Sequence, residues 1–161
     1  MTSALGRLLS ALSLGLLLAG CEYVGEDNWK PRAEVLGNYQ DRTVLYYGGW
    51  RVAIYYAADG RGFFLGGRSQ TVVPGQWKFD ETSESNRICT RWAPYKYNPI
   101  TGVDQSRWDC VLVSEDEFYT TDEAAGDPLA LTRRKSMPFA LQPVAHGDEL
   151  LALAKQLPAL P

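Results

Sequence analysis

The sequence predicts a mainly β protein: an antiparallel meander curled into a sandwich or a partial barrel, with one short C-terminal helix. Three observations lead to this fold class. From Val44 onward, short aromatic and β-branched runs alternate with turn residues. Five Trp and nine Tyr supply large side chains for a core. A helical apolar period occurs near the C-terminus, between Leu150 and Leu157.

Six predicted strands make up the meander. They fall at 50–56, 62–65, 75–80, 87–92, 110–113 and 118–121. In the first strand, Val52, Ile54 and Tyr56 share one face with Trp50. Asp59-Gly60 then offers the positive φ that a tight hairpin needs. The polar segments ETSESN and SEDE are predicted turns of two further hairpins, so consecutive strands are expected to be neighbours.

The chain after the β domain (residues 34–123) is a Pro-rich extension, residues 124–161, with a predicted helix at about 148–157. Its apolar positions follow the spacing i, i+3, i+4, i+7: Leu150, Leu153, Ala154 and Leu157. Asp148 or Gly147 is the expected cap, and Pro158 ends the helix. We expect this stripe to pack on its own domain, the alternatives being a membrane surface or a partner helix.

The N-terminal segment is typical of an export signal. Arg7 is the only charged residue among the first twenty, and the apolar run from Leu8 to Ala19 is too short for a membrane span of ~30 Å. The run ends in Leu18-Ala19-Gly20-Cys21, which resembles the lipobox of bacterial lipoproteins. That resemblance implies cleavage of signal peptide 1–20, a diacylglycerol thioether on Cys21 and acylation of the new amine. The alternative is a buried helix whose cysteine packs in a core.

The lipobox implies a location in the cell envelope. Two or more acyl chains on Cys21 give stable membrane anchoring, and polar residues 21–33 would form the tether. In the lipoprotein family, Asp after the cysteine often retains the protein at the inner membrane. Glu22 stands at that position, so we expect the outer membrane, facing the periplasm.

The remaining cysteines, Cys89 and Cys110, are expected to form one disulfide. An exported chain enters an oxidising compartment, and two cysteines are enough for one bond. The bond would stabilise the fold by ~3 kcal/mol. A zinc site would need four ligands, and the chain has one histidine, His146. A reactive thiol pair is the other alternative, although the Cys-x-x-Cys spacing is missing.

The mature part also resembles a group of small exported proteobacterial domains of unknown function. The similarity covers about residues 35–121 and rests on motifs in a fixed order: Gly37-Asn38, Tyr55-Tyr56 with Asp59-Gly60, Gly75-x-Trp77, Ile88-Cys89-x-x-Trp92 and Trp108-x-Cys110. It implies the same paired cysteines and no known activity. The segment between the cysteines is longer than expected of that group.

Composition and motifs argue against several function classes. The net charge is −3, and the sequence shows no basic stripe of the kind that nucleic-acid binders carry. His146 lies in a predicted loop, and no histidine base accompanies a Ser or Cys nucleophile. The acidic clusters fall in predicted turns and lack the calcium-loop pattern. These clusters are Asp80, Glu81 and Glu84, and Glu115, Asp116 and Glu117. We therefore expect no catalytic residue, cofactor or metal.

The disulfide loop is the predicted binding surface. Its aromatic and cationic side chains suit stacking on a sugar, a peptide or a partner protein. They are Trp92, Tyr95, Lys96, Tyr97, Arg107 and Trp108. For the two tryptophans, the alternative is a place in the core beside the disulfide, and for Tyr95 and Tyr97 it is to cover the end of the barrel. The expected function is non-catalytic recognition of an envelope protein or glycan. The alternative is an envelope hydrolase or a protein that sequesters a small ligand with its acidic residues.

Overall fold

The structure is a computed structural model and describes residues 31–47, 51–66, 69–81, 85–92, 108–141 and 149–160. Seven antiparallel strands form a curled half-barrel sheet, which confirms the mainly β prediction. The elements in chain order are α1 (Arg32–Tyr39), β1 (Arg42–Tyr47), β2 (Arg51–Tyr56), β3 (Arg61–Gly66), β4 (Val73–Glu81), β5 (Asn86–Trp92), β6 (Asp109–Leu112), α2 (Val113–Tyr119), β7 (Thr120–Ala125), a 3₁₀ turn (Leu131–Arg133) and α3 (Glu149–Lys155).

The strand order is β6-β5-β4-β3-β2-β1-β7, so the first six strands form a meander. The Asp59-Gly60 hairpin between β2 and β3 is confirmed, with Gly60 at a φ of 84°. Strand β4 pairs antiparallel with β5, with Glu81 opposite Asn86, as predicted for that hairpin.

The third predicted hairpin is wrong. Its SEDE turn belongs to α2, and Glu115 and Asp116 occupy the first turn, where acidic residues favour a helix. Helix α2 carries the chain from one edge of the sheet to the other. There β7 pairs with β1, in the register Leu45↔Asp122, instead of with β6.

Both faces of the sheet are buried at its centre. Every residue of β2 is buried, and the predicted alternation assigns these residues to the correct faces of the sheet. Val52, Ile54 and Tyr56 face a core that includes Val35 and Tyr39 of α1 and Val113 of α2. We call this side the helix face. Ala53 and Tyr55 lie in a second core, on the tail face, which the C-terminal segment covers.

Two glycines lie side by side on the helix face, between two large aromatic residues. Tyr56, Gly62, Gly75 and Trp92 pair in one line across β2 to β5. The fully buried Trp92 indole lies over the two glycines, since a Cβ on Gly75 would lie 2.5 Å from Trp92 Cε3 and one on Gly62 would lie 3.0 Å from Cζ3. Phe64 packs against the indole with a centroid separation of 5.4 Å. The two glycines therefore leave a slot for the indole, which a side chain at either position would fill.

The C-terminal segment packs on its own domain, as predicted from its helical period. Leu150 is fully buried in the tail-face core, and Leu153, Ala154 and Leu157 pack against the same cluster. The core also takes four residues from the segment between β7 and α3: Leu129, Leu131, Met137 and Leu141. The predicted caps Gly147 and Asp148 lie outside the described residues.

Two polar contacts join α3 to the sheet. The Leu150 N–H donates to Asp122 Oδ2 of β7 at 2.8 Å, which satisfies a free donor of the first helical turn. Arg51 at the start of β2 forms an ion pair with Glu149, and their side chains are 3% and 8% exposed. The sequence had given no indication of this buried pair.

Candidate functional site

The predicted binding surface maps to one face of β4, β5 and β6. Because Trp77 and Phe79 point into the helix-face core, the alternate residues Gln76 and Lys78 point to the opposite face. Arg91 pairs with Gln76 and shares that face. This part of the sheet lies beside the strands that the C-terminal segment covers.

Trp108 sits on this surface between two cations. It directly precedes Asp109, which pairs with Thr90, so Trp108 falls beside Arg91. The Arg91 guanidinium carbon is 4.9 Å from the indole centroid, and Lys78 Nζ is 5.4 Å from it. Each cation–π contact of this kind contributes about 0.5–1 kcal/mol at an exposed site. We call Trp108, Lys78, Arg91 and Gln76 the Trp108 platform.

Hydrogen bonding orders the platform further. Arg91 Nη2 donates to Gln76 Oε1 at 2.5 Å. The guanidinium is therefore held by an amide on one strand and by an indole on another, while Gln76 and Lys78 remain exposed. Sequence analysis missed these two β4 residues. The signal available was the alternation around Trp77, which places them opposite the core.

The disulfide lies beside the platform and confirms the predicted pairing. Cys89 and Cys110 are directly opposite each other on β5 and β6, with their Cα atoms 4.0 Å apart. The Asp80 carboxylate lies within 4.8 Å of both sulfurs. Metal ligation by cysteine requires thiolates, and both sulfurs are committed to the disulfide bond.

The residues predicted for the binding surface differ in where the structure places them. Trp92 is fully buried in the helix-face core, so it is a core residue and does not belong to the binding surface. Trp108 is half-buried on the platform. Tyr95, Lys96, Tyr97 and Arg107 lie outside the described residues, as do Cys21, Glu84 and His146.

A second polar cluster lies under α2 on the helix face. Tyr39 and Tyr46 both donate to Asp116 Oδ2, at 2.7 and 2.9 Å, and the hydroxyls of Tyr46 and Tyr56 are 2.8 Å apart. Burial raises the pKa of the Asp116 carboxyl to about 6, although the two tyrosine hydrogen bonds lower it. Burial also raises the pKa of Tyr46 and Tyr56 well above the ordinary value. Burial therefore favours the protonated form of Asp116, and the two tyrosine hydrogen bonds join α2 to the sheet.

This carboxyl predicts a pH dependence of stability. The folded-state pKa of Asp116 is about 6 and exceeds its ordinary value of 3.8, so the folded state binds the proton more tightly. The contribution of Asp116 to stability is therefore greatest below the unfolded pKa and is lost as pH rises from about 4 to 6. In Asp116→Asn the site is neutral at every pH, and this dependence should disappear.

Urea denaturation from pH 4 to pH 7 measures the effect. The difference in unfolding free energy between the wild type and Asp116→Asn should change by about 2 kcal/mol across that window. The subtraction cancels the titration of carboxyl groups that both proteins share. A difference that stays constant with pH would contradict the pKa of about 6.

No described helix combines the length and the apolar character that crossing a membrane requires. Comparison with known proteins finds no protein-family model, no curated relative and no solved structure that matches this chain.

Proposed function

We propose that this chain is a lipid-anchored, non-catalytic binding module of the bacterial cell envelope that recognises an envelope protein or glycan. The anchor would be an acylated Cys21 at the lipobox, on the outer membrane facing the periplasm. The binding surface would be the Trp108 platform together with Tyr95, Lys96, Tyr97 and Arg107 of the disulfide loop.

One observation carries the binding proposal: a half-buried indole with a cation on each of two neighbouring strands. Trp and Arg are enriched among residues that dominate binding energy, because they combine apolar area with directional hydrogen bonding. A flat ring also suits a sugar or another aromatic group. The disulfide ties β5 to β6 at this point, so the platform would bind without losing much conformational entropy.

The anchor is tested by the intact mass of the protein extracted from membranes of a bacterium that produces it. The expected mass is that of residues 21–161 plus acyl groups. Reduction should then add two hydrogens for the Cys89–Cys110 bond. A full-length chain without acyl groups would overturn the lipoprotein proposal, while leaving the fold intact.

Recognition is tested with Trp108→Ala against a matched exposed aromatic, Tyr47→Ala at the end of β1. Both full-length variants would be probed on an array of bacterial envelope glycans and by chemical cross-linking at the membrane surface. Loss of a dominant indole contact should weaken binding about thirtyfold, and Tyr47→Ala should bind like the wild type. Equal binding by the two variants would overturn the platform. Turnover of an envelope substrate that survives Trp108→Ala and is lost with Glu115→Gln would instead favour the hydrolase.

A further inference from the structure

Strand β4 extends beyond the end of β3. The β3–β4 pairing runs from Phe64↔Val73 to Arg61↔Gln76, and the Trp77 N–H then donates to the carbonyl of Gly60 in the turn at 2.9 Å. From Lys78 to Glu81, β4 pairs with β5 on its other side. On its β3 side, the last part of β4 therefore has an open edge, with no neighbouring strand among the described residues, because β3 begins only at Arg61, opposite Gln76.

The open edge presents backbone hydrogen-bonding groups. In an antiparallel strand, the N–H and C=O of alternate residues point to the same neighbour. Trp77 directs its N–H towards the β3 side, so Phe79 and Glu81 direct theirs to that side as well. Within the described part of the chain, no backbone group from another segment bonds to Phe79 or Glu81 on this side. Such an edge is a template for pairing with another strand.

A cleft of about 280 Å³ lies at this edge. Its walls come from α1, from the β2–β3 turn and from β4, and its lining residues are Arg32, Leu36, Gln40, Ala58, Gly60, Trp77, Lys78 and Phe79. Leu36 and Phe79 make part of the lining apolar. Both charged residues of the lining, Arg32 and Lys78, are cations, and Arg32 lies 5.4 Å from the centroid of the Phe79 ring. The cleft thus offers an apolar contact beside two cations, each of which also lies 3.9 Å from a carboxylate of β4, Arg32 from Glu81 and Lys78 from Asp80.

We propose that this cleft binds an extended acidic peptide segment of a partner protein, which adds as a short strand to β4 at Phe79 and Glu81. Main-chain hydrogen bonds to these residues supply affinity, and the cleft supplies specificity. The peptide places an apolar side chain against Leu36 and Phe79 and acidic side chains towards Arg32 and Lys78. This site goes beyond the proposed function, since strand addition requires neither the lipid anchor nor the Trp108 indole, although Lys78 lines the cleft and also belongs to the platform.

Two substitutions at one position test the strand addition. Glu81→Pro removes an N–H of the open edge and places a proline ring there, while Lys78 and Asp80, which pair with β5, keep their donors. Glu81→Ala removes the same carboxylate and its 3.9 Å contact with Arg32 but keeps the N–H. The probe is a random linear peptide library displayed on phage, selected on the full chain.

The selected peptides should alternate apolar and acidic residues. Their affinity should fall about tenfold with Glu81→Pro and stay near the wild-type value with Glu81→Ala. Arg32→Gln should weaken binding up to about fivefold, the range of an exposed ion pair. In the wild-type protein, bound peptide should protect the amide protons of Phe79 and Glu81 from hydrogen exchange, which tests the site even if Glu81→Pro unfolds.

Three results would overturn the proposal. The first is a selection that enriches no peptide. The second is a set of peptides that leaves the exchange of both amides unchanged. The third is self-association of the chain, measured by analytical ultracentrifugation, that Glu81→Pro abolishes, because the occupant would then be a second copy. Binding at the Trp108 platform is measured separately with Trp108→Ala, so the two proposals can fail independently.

Discussion

Replacing Glu149 with alanine is expected to lower the free energy of unfolding by about 3–5 kcal/mol. The change leaves the Arg51 guanidinium, in a side chain only 3% exposed, without its carboxylate partner. An uncompensated buried charge is far more destabilising than the loss of the attraction alone. Urea denaturation followed by tryptophan fluorescence measures the change.

A double substitution separates the pair from its surroundings. Arg51→Met combined with Glu149→Leu replaces both charges with apolar groups and should recover most of the lost stability, since a buried pair often contributes little net free energy. Hydrogen exchange of α3 shows whether Glu149→Ala releases only this helix or unfolds the whole domain. A single Glu149→Ala variant within about 1 kcal/mol of the wild type would mean that another group or solvent compensates the Arg51 charge.

Replacing Gly75 with alanine is expected to destabilise the protein by about 3 kcal/mol, at the upper end of overpacking effects. The new Cβ would lie 2.4 Å from the Arg91 carbonyl oxygen and 2.5 Å from Trp92 Cε3. The first neighbour is backbone and the second is a fully buried ring, so neither can yield without disturbing the β4–β5 pairing. Thermal denaturation of the two proteins measures the effect.

Gly37→Ala is the matched control because the same methyl group meets no atom within 4 Å. Gly37 lies in the middle of α1 and is exposed. Alanine should therefore stabilise the protein by up to about 1 kcal/mol through helix propensity. Opposite signs for the two substitutions are the expected result. Equal, small effects would show that the slot under Trp92 can widen.

The sequence predicted those parts of the fold whose signals are local. The alternation of Val52, Ile54 and Tyr56 gave the correct faces of β2, and the Asp59-Gly60 turn gave the correct hairpin. The spacing of Leu150, Leu153 and Leu157 predicted a helix that packs on its own domain. Each of these patterns depends on a few consecutive residues and on one type of neighbour.

The failures involve distant partners. Nothing near Thr120 indicates that β7 pairs with β1, because a strand pattern does not specify its neighbour and both edges of the meander were available. Helix α2 was read as a turn because its polar residues suit either structure, and the buried environment of Asp116 depends on Tyr39 and Tyr46 from far along the chain. Tyr39 comes from α1, a helix that the sequence analysis did not predict.

The candidate site was predicted in part for the same reason. The cysteine pair and the indole of Trp108 could be found from composition and spacing. Lys78 and Arg91 could be placed beside that indole only once the β4–β5 register was known. The open edge at Phe79 depends on where β3 ends relative to β4, which residue patterns leave undetermined.

The position of β7 beside β1 also leads us to expect a particular order of folding. Each pairing from β1 to β5 joins strands that are close in the chain, and such contacts close small loops and form early. The Leu45↔Asp122 pairing closes a much larger loop, so we expect it to form late. Until residues 120–125 arrive, β1 exposes a strand edge, and a chain arrested there would be prone to associate with others.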